Sequence, residues 1–103
     1  VQQAPALLER DPRLAPDIAA LYYRYGMALY LQDQTKEAEE SLLEAARLAP
    51  ESPQILMGLA LFYERFQRWE EAEEFARRLT AAAPENRDFA LIRRRIENRT
   101  GSP

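Results

Sequence analysis

The 103-residue chain contains no cysteine and no histidine. That excludes disulfides, thiolate and imidazole metal sites, zinc motifs, and every catalytic nucleophile or base built on those side chains. It leaves the compartment open, because a chain without cysteine folds equally well in reducing and oxidising surroundings, so cytoplasmic and exported locations both fit. Only three glycines occur, Gly26, Gly58 and Gly101, too scattered to form a phosphate cradle. No apolar run approaches the roughly 18 residues that a membrane-spanning helix needs. Positive charge is not in excess either. The formal net charge is −3, which argues against non-specific nucleic-acid binding. The first residue is Val1 rather than Met, so the chain is expected to be processed or cut from a longer protein.

Proline is present, and it is placed regularly. Leu14-Ala15-Pro16, Leu48-Ala49-Pro50 and Ala82-Ala83-Pro84 recur at a spacing of 34, each followed by an acid, Asp17, Glu51 or Glu85. A second string keeps the same offset: Lys36-Glu37-Ala38-Glu39-Glu40 aligns with Glu70-Glu71-Ala72-Glu73-Glu74. Identity elsewhere is low, so what repeats is residue class.

Each unit reads as two helices. Leu21, Tyr22, Tyr25 and Leu29, then Ala38, Leu42, Ala45 and Ala49, follow the three-and-four spacing of a buried helical stripe. The second unit offers Ile55, Leu56, Leu59 and Tyr63, then Ala72, Ala76, Leu79 and Ala83. The short connectors 32–35 and 66–69 force the paired helices antiparallel. Asp17 and Ser52 are expected N-caps, and Pro53 suits a first helical turn. Pro50 and Pro84 should stop the preceding helices. Glu64–Arg68, Glu73–Arg77 and Glu74–Arg78 are spaced for ion pairs on an exposed face.

With these residues in place, the sequence resembles the tetratricopeptide repeat family, whose unit is a 34-residue helix–turn–helix. Tyr22, Tyr25, Gly26 and Leu29, then Ala38, Leu42, Ala45 and Pro50, fall on the family's pattern in the first unit. Leu56, Leu59, Ala60, Tyr63, Ala72, Ala76, Leu79 and Pro84 fall on it in the second. Small residues at Gly26 and Ala60 would let the first helix of each unit approach Ala38 and Ala72 on the second. Three features depart from the pattern: Tyr22 and Leu56 replace Trp, Leu42 and Ala76 replace an aromatic, and neither turn contains Gly.

The expected fold is all-α, a right-handed antiparallel helix-turn-helix solenoid with two full repeats and a helical cap at each end. The expected division of this single domain is an N-terminal cap at 1–16, repeats at 17–50 and 51–84, a capping helix at 85–99 and a tail at 100–103. Pro5 and Pro12 limit the first cap to a short helix near 5–10. In the last segment Asn86 could cap a helix, with Phe89, Ile92 and Ile96 as its apolar stripe. The segment from 85 onward carries five arginines against three acids. The default reading of that charge is the solvated outer face of a cap, and the alternative is a docking patch for an acidic partner.

No enzymatic site is legible. The glutamate clusters at 37–40 and 70–74 read best as solvated helix starts, where acids favour the helix dipole. No catalytic residue, metal site or cofactor is expected. The resemblance implies instead a concave groove lined by the first helices. It would use Ala20, Tyr23, Met27, Tyr30 and Leu31, then Gln54, Met57, Leu61, Glu64 and Arg65, with Leu91 and Arg95 from the last helix. Tyr23, Met27 and Tyr30 share one helical stripe, and Tyr and Met bind partners at low ordering cost. Either these residues pack against the adjacent helix, or they form the floor for a partner. The family's clamp for a C-terminal carboxylate is not supported, because Tyr23, Met27 and Gly58 stand where Lys and Asn would be needed.

The function expected is a non-catalytic protein–protein interaction module that takes a peptide or helix in an apolar groove. The alternative is the structural end of a longer solenoid, or a self-association module with no ligand of its own. The partner is then a protein, a peptide or a second copy of the chain, with no role for nucleic acid or a membrane segment.

Overall fold

A computed structural model describes residues 3–100. In chain order it contains α1 (Ala4–Arg10), a 3-10 turn (Pro12–Leu14), α2 (Ala15–Leu31), α3 (Thr35–Leu48), α4 (Pro53–Arg65), α5 (Trp69–Ala82) and α6 (Arg87–Thr100). There is no strand among the described residues. The chain divides into two compact units, Val1–Pro50 and Glu51–Pro103. Of the expected tail, Thr100 forms the end of α6, and residues 101–103 lie outside the described residues.

In the first unit α2 pairs with α3. Ile18, Ala19, Gly26 and Leu29 of α2 are buried, as are Ala38, Ser41, Leu42, Ala45 and Ala46 of α3. The small residue at Gly26 brings the two backbones close: a Cβ there would stand 3.2 Å from the Ala38 carbonyl oxygen. Ser41 is the buried polar residue of this interface, and its hydroxyl donates to the Tyr22 carbonyl at 2.8 Å. That bond satisfies a group whose burial would otherwise cost stability.

The second unit packs α4 on α5 and α5 on α6. Leu56, Leu59, Ala60, Ala72, Ala76, Leu79 and Ile96 are fully enclosed. Tyr63 stacks on Phe75 with centroids 5.9 Å apart, and Phe62 meets Tyr63 edge-on. α6 is held by polar contacts as well as by Ile96. Arg93 donates to Thr80 Oγ1 at 3.0 Å, the Thr100 hydroxyl donates to Glu73 at 2.8 Å, and Arg99 lies over the Trp69 ring.

The two hairpin turns are built alike. Asp33 and Gln67, 34 positions apart, are the two non-glycine residues with positive φ among the described residues, at 62° and 59°. After α2, the Gln34 amide donates to the Leu29 carbonyl and the Asp33 amide to Tyr30. After α4, Arg68 donates to Tyr63 and Gln67 to Glu64. This is the bonding of a Schellman helix end, in which a left-handed residue lets two amides turn back onto orphan carbonyls. Neither α3 nor α5 has a side-chain N-cap. Glu37, Glu70 and Glu71 in their first turns complement the helix dipole instead.

Three local expectations need correction. Asp17 does not cap α2. The 3-10 turn runs directly into the helix, which starts at Ala15 and leaves Asp17 inside the first turn. Leu21 and Tyr25 are not in the buried stripe: they are 51% and 48% exposed. The arc of α2 that faces α3 is centred between Gly26 and Leu29, and at 100° per residue Leu21 falls well outside it. Two expected ion-pair partners are also rearranged. Glu64 binds Arg95, and Arg68 binds Glu71. The Glu73–Arg77 pair forms as expected, at 2.7 Å. Ser52 and Asn86 do cap, accepting from the Ile55 and Phe89 amides.

Candidate functional site

The expected groove residues of the first unit lie along α2. Tyr23, Met27 and Tyr30 are half-buried, Ala20 is partly covered, and Leu31 is 78% exposed at the helix end. All five sit on one side of the helix, flanking the arc that faces α3. Burial pushes the Tyr23 phenol up from its ordinary value.

In the second unit Gln54, Met57, Leu61, Glu64 and Arg65 share the side of α4 opposite Leu59, which is enclosed. Met57 is half-buried, and Gln54, Leu61 and Arg65 are exposed. The Arg95 guanidinium forks over the Glu64 carboxylate, with Nε and Nη2 at 2.7 and 2.6 Å. This bidentate pair ties α6 to α4 and holds the Arg95 pKa above its ordinary value. The sequence offers Glu64 and Arg95 to a partner, whereas the structure pairs them with each other. Their spacing of 31 positions gives no local signal for it.

Other clusters have simpler roles. Glu44 accepts a two-pronged contact from Arg47, which lowers its pKa. Arg68 and Arg78 lie over the rings of Tyr63 and Phe75. Among the described residues no group of three or more acids is arranged to hold a metal ion. No helix among them is long and apolar enough to cross a membrane.

Sequence reasoning misses the outward side of α2. Leu21 and Tyr25 stand exposed there, beside a cleft lined by Tyr22, Tyr25, Leu29, Glu37, Glu40 and Ser41. A stripe of Leu, Tyr and Ala at positions 21, 25 and 28 carries the signal, but the same pattern also fits a buried face.

Two family models, both described as tetratricopeptide repeat, match the chain, one over residues 29–96 and the other over residues 2–53. No curated protein matches it.

Proposed function

This chain belongs to the tetratricopeptide repeat family, a non-catalytic repeat scaffold that generally mediates protein–protein interaction, and we propose that it is itself such a module, without enzymatic activity. Its two repeats are 17–50 and 51–84, with helical caps at 1–16 and 85–99. The partner is a peptide or a helix with apolar side chains. In the first unit Tyr23, Met27 and Tyr30 offer it a surface on α2, and in the second unit Gln54, Met57 and Leu61 offer one on α4. Arg65 and the paired Glu64 and Arg95 lie at the charged edge and orient the partner. The observation that supports this reading is the half-burial of Tyr23, Met27 and Tyr30 on one stripe of a helix whose α3-facing arc is made by other residues. Such residues retain apolar area that a partner can remove from water, at roughly 25 cal/mol per Å² before ordering costs.

Selection from a displayed library of random peptides tests the reading. Selected peptides should be rich in apolar residues, and their binding should weaken only slightly between low and physiological salt. Tyr23→Ala should weaken binding by more than about 1 kcal/mol, because a buried Tyr is a common hot spot. Binding that survives Tyr23→Ala and Met57→Ala but is lost on Arg94→Glu would move the site to α6.

A further inference from the structure

Beyond that reading, two exposed faces among the described residues complement each other. The first is the outward side of α2 and α3. Leu21 and Tyr25 are exposed on it, and Glu37 and Glu40 border the adjoining cleft without an ion pair. Two residues along a helix turn through 200°, so Tyr25 faces about 160° away from Tyr23. This face is therefore separate from the stripe assigned to a peptide partner. Asp17 and Arg24, two turns apart, share one edge of α2 beside Leu21 and carry opposite charges.

The second face is the outer side of α6. Ile96 faces inward and is fully enclosed, while Leu91 is 62% exposed. Leu91 and Ala90 line a cleft with Arg87 and Arg94. Arg93 and Glu97, at the same cleft, neutralise each other. Arg87 and Arg94 remain as unpaired cations on either side of the leucine, four residues before it and three after it. The chain thus carries one apolar face bordered by free carboxylates and one apolar face bordered by free guanidiniums.

We infer that these faces bind each other between copies: the Arg87–Leu91–Arg94 side of α6 in one molecule docks on the Leu21–Tyr25 face, beside Glu37 and Glu40, of the next. The occupant of each face is a second copy of this chain. Leu91 covers the exposed α2 residues, and the two arginines meet the two glutamates. The contact is heterologous, so each added copy presents a fresh face, and assembly proceeds head to tail. One helix side against one hairpin side falls in the small, weak class of interface, so association develops at high concentration.

Sedimentation of the 103-residue chain at rising concentration tests the inference. At low salt the weight-average mass should rise at least about twofold between about 10 µM and about 1 mM, and the rise should shrink in about 0.5 M salt. An α6 variant carrying Arg87→Glu and Arg94→Glu should stay monomeric, as should an α3 variant carrying Glu37→Arg and Glu40→Arg. Each then sets like charge against like. An equimolar mixture of the two variants should regain the association, because every acidic face then has a basic one to meet. The uncharged change Leu91→Ser should weaken association several-fold, and circular dichroism should show all variants equally helical. A wild-type chain that stays monomeric at about 1 mM and low salt would overturn the inference. So would variants that associate as the wild type does, or a mixture that does not recover. Self-association lost on Tyr23→Ala yet retained in the α6 variant would place the contact on the other stripe of α2 and would equally overturn it.

Discussion

A methyl group at Gly26 would stand 2.9 Å from both Cγ and Cδ2 of Leu42, closer than carbon atoms pack. Leu42 is fully enclosed, and its Cγ is not a free end that can swing aside. Two effects therefore compete in Gly26→Ala. Helix propensity favours Ala by about 0.8–1.0 kcal/mol. Overpacking a full interface costs about 1–3 kcal/mol. Packing wins, and the urea midpoint should fall, as it should for Ala60→Leu at the equivalent position of α4. A Gly26→Ala chain more stable than the wild type would show that α2 and α3 can separate at little cost.

The turn residues should respond in the opposite sense. Asp33 and Gln67 hold left-handed backbone that glycine adopts without a Cβ penalty. Gln67 is exposed, so its side chain has little packing to lose. Gln67→Gly should raise stability by up to about 1 kcal/mol, less the greater entropy of the unfolded chain. Thermal unfolding checks this, and Gln67→Val should lower the midpoint.

α6 should be structural as well as adhesive. Ile96 is fully enclosed against the rest of its unit, so Ile96→Ala should cost about 2–5 kcal/mol. Deleting residues 86–103 should cause aggregation by uncovering the side of α5 that α6 packs on. Light scattering of the truncated chain reads the second outcome, and a soluble truncation of unchanged stability would make α6 dispensable.

Tyr23 should titrate late. Its folded-state pKa is raised by burial, against an unfolded value of about 10. Its contribution to stability is therefore complete below about pH 10 and is lost as pH rises through the higher folded value. Absorbance titration at alkaline pH should show a late phenolate component that Tyr23→Phe removes. The same substitution should reduce the alkaline loss of stability while leaving stability at neutral pH nearly unchanged.

The sequence by itself determined the helical hairpins and their register. The 34-residue recurrence, the caps at Ser52 and Asn86, and the small residues Gly26, Ala38, Ala60 and Ala72 are local or periodic signals. Helix pairing demands small residues at the points of contact, so it writes itself into spacing. Which side of α2 stays exposed is a different kind of question. Leu21 and Tyr25 follow the same three-and-four spacing as the truly buried residues, and periodicity records a face without recording what covers it. The pairing of Arg95 with Glu64 across 31 positions was likewise decided by tertiary structure, as was the left-handed backbone at two non-glycine turns. These depend on where the chain returns in space. Packing of α6 brings the guanidinium to the carboxylate, and the closing of each hairpin holds Asp33 and Gln67 in a conformation their own side chains do not favour.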